Sequence, residues 1–385
     1  MIRYYIWLQC ALGQGNPKVV RIMEHFGSAE AVFKASGEER TKSRLFSTKE
    51  LVRMESVSLT NSLEIMARCR EEGIDVIPFG DDRYPLCLAN ISDPPLVIYV
   101  KGKLPDFDNT PAVTIVGPRK VSEFGKKAAY SLGYRLAASG VTVVSGGALG
   151  TDTYAHAGAL KAGGKTALCL GCGICSDYLK ENEKLRNAVL KNGCLISEYP
   201  PDSEASRYTF PIRNRIMSAL GLGTIVIEAG VKSGSLITAR HANEQGRDVF
   251  VIPGSPDDKK YMGSNSLLRD GAKPLLDVSD IFNEYIPQFP DKINIDNAYN
   301  KPIIDKKEKA ETKVETKAFE KKEKNLIKTL SKEAKIVYNY LDKQIFLPEE
   351  INAPELSGSQ LLAALTELEM EFLIEALPGG RYKIV

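Results

Sequence analysis

The chain is 385 residues long, 43% hydrophobic and 26% charged, with a formal net charge of +2. Those fractions are ordinary for soluble protein and leave room for two or three domains. The near balance of charge excludes a globally basic partner surface, so any basic surface must be local. No apolar run reaches the roughly 18 residues of a membrane span. The opening MIRYYIWLQC lacks the apolar length and cleavage site of a secretory leader. We therefore expect a cytoplasmic protein with no membrane partner and reduced cysteines.

Residues 1–75 read as helices. LGQGNPKVVRIMEHFGS carries a Gly-x-Gly turn, then Val19, Val20, Ile22, Met23 and Phe26 at helical spacing, then a stop at Gly27-Ser28. The segment resembles a helix-hairpin-helix or SAM-like module; such modules either hold DNA backbone through turn amides or serve as packing units. His25 suits the negative end of its helix. Residues 76–105 carry short strands and several prolines, which stiffen the connections.

From residue 113, β-branched runs alternate with helical patterns. Strands are expected at 113–116, 141–144, 166–170, 194–197, 224–228 and 248–252. Helices are expected at 125–138, 151–162, 181–191, 213–221 and 235–246. The alternation predicts an α/β fold with a doubly wound parallel sheet spanning 76–288. Nearly continuous apolar strands fit burial on both faces. Residues 289–324, rich in Lys and Glu, read as a charged linker. Residues 325–385 give amphipathic helices and then LPGGRYKIV, a hairpin with a Gly-Gly turn. That is the element order of a winged helix. Glu367, Glu369 and Glu371 make its second helix repel phosphate, so we read this domain as a packing or protein-contact unit.

The chemistry is expected in five loops at the carboxyl ends of the strands. Gly117-Pro118-Arg119 joins the first strand to its helix, and a glycine turn with cations suits a phosphate; the plain alternative is a tight turn with solvated charges. Ser145-Gly146-Gly147 opens a glycine loop that runs into Thr151 and Asp152 at a helix start. The third loop contains Tyr178 and Lys180. The fourth, 199–215, concentrates Arg207, Tyr208, Phe210, Arg213 and Arg215; cations track a phosphodiester backbone and an aromatic face stacks an unpaired base. In the alternative, Phe210 is core and the arginines pair with acids such as Asp202 and Glu204. The fifth loop is EAGVKSGS, 228–235.

The second loop is not G-x-G-x-x-G, and no acid lies about twenty residues beyond it, which disfavours NAD or FAD. No G-x-x-x-x-G-K-[ST] is present. No cofactor is expected. Cys169, Cys172 and Cys175 have the spacing of part of a zinc or iron–sulfur motif, but the triplet begins in a buried strand, so we read it as core and expect no metal. Of the three histidines, His156 shares a helix face with Asp152, and His241 lies on the helix after Ser-Gly-Ser. Asp152 is read as a helix cap, and no nucleophile–base–orienter set is legible.

The ordered motifs SGGALGTDTYAHAGAL (145–160), FPIRNRI (210–216), IEAGVKSGSLITARHANEQGR (227–247), VFVIPG (249–254) and GSNSLLRDGA (263–272) resemble the DprA/Smf family of DNA-processing proteins. The resemblance covers roughly 75–285. It implies an extended Rossmann-like fold, a homodimer, and a non-enzymatic basic cleft that binds and protects single-stranded DNA. It also implies that the chain promotes RecA loading during natural transformation (competence) and recombination. On that resemblance the DNA-binding residues are Gly117, Arg119, Ser145, Gly146, Gly147, Lys180, Phe210, Arg213, Asn214 and Arg215, with Phe210 stacking a base and the fifth loop near the dimer contact. Pro118 departs from the family's serine and removes a hydroxyl and an amide donor. The alternative is a nucleotide phosphoribohydrolase of the lysine-decarboxylase-like type, in which Glu228 would be the acid; the spacing Gly223-Thr224 to Glu228 is one residue long for it, and no PGG precedes it.

Overall fold

Serine caps open four of the first six helices. These six helices occupy the N-terminal segment: α1 Ile2–Leu12, α2 Val19–Phe26, α3 Ala29–Lys34, α4 Gly37–Lys42, α5 Thr48–Ser56 and α6 Leu59–Glu71. Ser28, Ser36, Ser47 and Ser58 each accept a backbone N–H at the start of α3 to α6, satisfying donors that the first turn leaves free. The computed structural model describes residues 1–178, 180–299, 330–341, 345–351, 353–370, 373–377 and 381–384. Its contacts divide into two units, 1–303 and 304–385.

The first unit continues with β1 Ile74–Pro78, α7 Leu86–Ala89, β2 Val97–Gly102, β3 Ala112–Val116, α8 Glu123–Ala138, β4 Thr142–Ser145, α9 Thr151–Lys161, β5 Thr166–Leu170, α10 Glu183–Val189 and β6 Gly193–Ser197. After these come α11 Thr209–Leu220, β7 Gly223–Val226, α12 Ser235–Glu244, β8 Asp248–Val251, α13 Met262–Arg269, β9 Lys273–Pro274, α14 Ser279–Tyr285 and α15 Ile295–Tyr299. The strands form one nine-stranded sheet in the order β1-β2-β6-β5-β4-β3-β7-β8-β9. From β6 to β9 every pairing is parallel. β1 and β2 form a hairpin, and β2 joins β6 antiparallel, an edge that the alternation pattern did not announce.

Strand alternation sends side chains to two faces with period two. On one face Ile98, Ala112, Val116, Val144, Cys169, Ile196, Val226 and Val251 pack with α7, α11 and α12. The other face is shared. Over β3, β4, β7 and β8 it is covered by α8, α9 and α14. Over β2, β5 and β6 it is covered by the N-terminal helices, with Trp7, Leu8 and Ala11 in one cluster with Val97, Tyr99, Leu168 and Leu195. Gln9 Nε2 donates to the Val97 carbonyl at 2.9 Å, and Trp7 Nε1 to the Val57 carbonyl at 3.0 Å. Residues 1–71 are thus the missing half of a helical layer and share their core with the sheet.

Two expectations change. YTFPIRNR is not a loop: α11 starts at Thr209, and Pro211 is tolerated because its first-turn position needs no intrahelical donor. The chain after 288 also stays on the sheet unit. Ile293 and Ala298 are buried in the α8–α9 core, and the Asn294 amide donates to the Ser139 carbonyl at 3.0 Å. The expected linker start at 289 is therefore corrected: the described residues to Tyr299 belong to the sheet unit, and the remainder of the expected linker lies outside the described residues.

In the second unit, α16 Lys332–Asn339 and α17 Gly358–Met370 bury Ala334, Val337, Leu365 and Leu368. Strands β10 Ile345–Phe346, β11 Ile374–Leu377 and β12 Arg381–Ile384 form an antiparallel sheet in the order β10-β12-β11. The expected Gly-Gly turn lies outside the described residues.

Candidate nucleic-acid interface

Chain order reverses between β3 and β7: β4, β5 and β6 are added on one side of β3, and β7, β8 and β9 on the other. Such a switch point leaves a crevice beyond the strand ends. A cleft of about 320 Å³ opens there. It is lined by the end of β3 with Gly117, Pro118 and Arg119, by Ala148 and Asp152 after β4, by one side of α11, and by Ser233, Gly234, Ser235 and Thr238 at the start of α12.

Helical geometry selects which α11 residues face the cleft. Phe210, Arg213, Asn214 and Met217 line it, and their spacing of i, i+3, i+4 and i+7 is one helix face. Phe210 is half-buried. Its ring centroid is 5.1 Å from that of Tyr178, and the exposed Arg119 guanidinium lies 5.4 Å from its centroid. Arg213 is buried and donates to the carbonyls of Gly146, at 2.9 Å, and Cys169. A side chain on Gly146 would overlap that guanidinium, its Cβ falling 2.7 Å from both terminal nitrogens, so the close approach requires glycine. Burial pushes the Arg213 guanidinium below its ordinary value, though it remains a cation. Burial raises the Asp152 carboxyl, against the pull of the Arg213 charge and the Ala148 amide. The Ala148 amide donates to Asp152 at 3.2 Å.

The fourth wall is the positive end of α12. Gly234 caps it without a side-chain hydrogen bond, and the Ser233 and Ser235 hydroxyls lie 2.7 Å apart. A helix N-terminus suits an anion, although one of these two hydroxyls donates to the other and the Ser235 amide donates to Ser233 Oγ at 3.4 Å. The sequence reading assigned these residues to the vicinity of a dimer contact; the usable signal was Ser-Gly-Ser between a strand and a helix.

Of the sequence-selected residues, Gly117, Arg119, Phe210, Arg213 and Asn214 converge on the cleft. Gly146 supports it through its carbonyl. Ser145 is fully buried and donates to the Ile115 carbonyl at 2.7 Å, and the Gly147 carbonyl accepts from Asn182 Nδ2 at 2.9 Å; both hold the loop rather than line the cleft. Lys180 is exposed outside the lining and pairs with Asp177 at 3.1 Å. Arg215 is corrected outright. It is 2% exposed, bound to Glu198 and 3.3 Å from Asp93, because it lies off the face that carries Phe210.

Groups considered for catalysis are engaged elsewhere. Glu228 is fully buried and accepts from Ser122 and from the Tyr261 hydroxyl at 3.1 Å. His156 Nδ1 is 2.7 Å from Thr166 Oγ1, which itself donates to the Val143 carbonyl. The hydroxyl proton is therefore spent, and Nδ1–H is the donor. Burial drives the His156 pKa down to about 3, leaving it neutral. Burial also pushes the Cys169 thiol up to about 12, which keeps it a neutral thiol in the core.

The family model of DNA recombination-mediator protein A matches residues 75–286. The chain is 40% identical over 220 residues to the DNA processing protein DprA of Bacillus subtilis strain 168, covering 57% of this chain and 74% of that one. It is similar to the X-ray structure of DNA processing protein A from Streptococcus pneumoniae, with a TM-score of 0.64 and 32% identity over 73% of this chain and 97% of the other. It is also similar to DNA processing protein A from Helicobacter pylori, whose structure addresses a single-stranded DNA binding mode. There the TM-score is 0.51 and the identity 29%, over 56% of this chain and 96% of that one.

Proposed function

Because the chain belongs to the DNA recombination-mediator protein A family, the DprA/Smf proteins, we propose that it binds single-stranded DNA in the cleft at the β3–β7 switch point. The observation that carries this reading is the convergence of Arg119, Phe210 and the N-terminus of α12 on that one cleft. Phosphate meets the guanidinium, the serine hydroxyls and the helix end, and an unpaired base meets the Phe210 ring. None of these groups reads a base edge, so binding has little sequence preference. Pro118 lacks an N–H, and the Ser233–Ser235 pair, in which one hydroxyl donates to the other, leaves one hydroxyl proton for the ligand on the facing wall.

In the cell the bound strand is protected and handed to RecA, as a homodimer acting in transformation and recombination. The likeness to family members supports this extension. The order helix, helix, hairpin in 330–384 supports a winged-helix reading of the second unit, and the serine-capped helices of 1–71 support a SAM-like one. The engagement of Glu228 by Ser122 and Tyr261 speaks against the phosphoribohydrolase alternative.

The test is fluorescence anisotropy with a labelled single strand against its duplex, titrated with salt. Tight, salt-sensitive binding to the single strand alone is expected. Equal affinity for both forms, or release of ribose 5-phosphate from a nucleoside monophosphate, overturns the reading.

A further inference from the structure

Three consecutive residues of α11 are fastened to three different parts of the fold. Arg213 holds the glycine loop at Gly146. Asn214 Nδ2 lies 3.5 Å from the Gly234 carbonyl at the start of α12. Arg215 turns to the opposite side, where its guanidinium is bound by Glu198 and by Asp93. Glu198 follows β6, is 2% exposed, and uses its other oxygen to accept the Gly15 amide at 3.1 Å. Gly15 belongs to the Gly-x-Gly turn between α1 and α2. Its φ is 68°, a conformation that favours glycine, and a Cβ there would fall 3.0 Å from Ile212 of α11. The turn that reads in sequence as a DNA-binding hairpin thus spends an amide on the protein itself.

We propose that Arg215 is a positioning residue: through Glu198 it clamps α11 to the Gly15 turn, so that docking of the N-terminal helices sets the geometry of the DNA cleft. The inference rests on the cleft being the single-strand site. Its logic is mechanical. Phe210, Arg213 and Asn214 sit on one face of α11 and the clamp holds another, so a shift or rotation of the helix moves all three cleft groups together. A two-carboxylate clamp needs the guanidinium fork, because a lysine offers one point charge that cannot span both acids. Coupling of this kind is reciprocal. If the turn steadies the cleft, a ligand in the cleft steadies the turn.

The experiment uses the full chain and a labelled oligothymidylate. The Gly15→Ala and Arg215→Lys variants are expected to bind the single strand about 3- to 10-fold more weakly with an unchanged salt slope. No phosphate contact is removed, since neither residue touches the cleft. Hydrogen exchange of the peptide containing Gly15 is expected to slow several-fold when wild-type protein is saturated with oligonucleotide. A merely structural role for Arg215 would lower melting temperature without that protection. The proposal is overturned if wild-type protein binds the oligonucleotide while exchange at Gly15 is unchanged and Gly15→Ala binds as wild type. Wild-type protein that fails to bind at all overturns the single-strand reading instead, and the clamp's role in binding with it; Gly15→Ala, which alters a half-buried turn and removes no charge, keeps the test alive should Arg215→Lys fail to fold.

Discussion

Single side chains divide the cleft's affinity into separable parts. Phe210→Ala removes the stacking surface and should weaken single-strand binding by about 1–3 kcal/mol, roughly 5- to 150-fold in Kd, with little change in salt dependence. Arg119→Ala should instead flatten the salt slope by about 0.7, the loss of one phosphate contact. Because the Arg119 guanidinium sits against the Phe210 ring, the double variant should lose less than the sum of the two, a coupling that a double-mutant cycle reads directly. His156 makes a different prediction. Its folded pKa of about 3 lies below the ordinary value of 6.5, so below pH 6.5 the unfolded chain binds a proton the folded chain does not. The stability that the neutral imidazole contributes is complete above pH 6.5 and is lost as pH falls towards 3, by up to about 1.4 kcal/mol per pH unit. Urea unfolding of wild type and His156→Gln between pH 7 and pH 5 should show the steeper decline in wild type; parallel curves would refute it.

Elements explain what the sequence made legible and what it hid. Short runs of small and apolar residues such as 112–116 and 166–170 mark buried strands because both their faces are apolar, and those strands stand where expected. The antiparallel β1–β2 edge left no such mark, since strand direction is set by connections rather than composition. In the cleft, residue types were legible but not their directions: Arg213 and Arg215 look equivalent in an assumed loop, whereas helix α11 points them to opposite sides. Ser233 and Ser235 were legible as a helix start and acquired meaning only when the sheet brought α12 opposite Arg119. Helix α8 supplies a prediction at this scale. Ser122 caps it by accepting the Gly125 amide at 3.0 Å and also binds Glu228. Ser122→Ala should cost about 1–2 kcal/mol from the cap alone, lowering the melting temperature by a few degrees while leaving oligonucleotide affinity at room temperature intact.

Across the molecule, the division of labour follows the cores. The N-terminal helices complete the sheet's second face, so deleting residues 1–72 would bare Val97, Tyr99, Leu168 and Leu195. That truncation should be poorly soluble or lack a cooperative unfolding transition. Ending the chain after 303 cuts between the two units and should leave both a cooperative transition and single-strand binding. The junction that makes the first truncation damaging also holds the chain's one tryptophan. Trp7 is fully buried, edge-on to Phe33 with ring centroids 4.9 Å apart, and no nucleotide in the cleft can touch its indole. Emission excited beyond the absorption of the tyrosines is consequently a single-site optical gauge of the N-terminal helical layer, where Trp7 meets Phe33, Arg40 and the Val57 carbonyl: a collisional quencher added to solvent will not reach it, and a change in its colour reports that this layer has loosened.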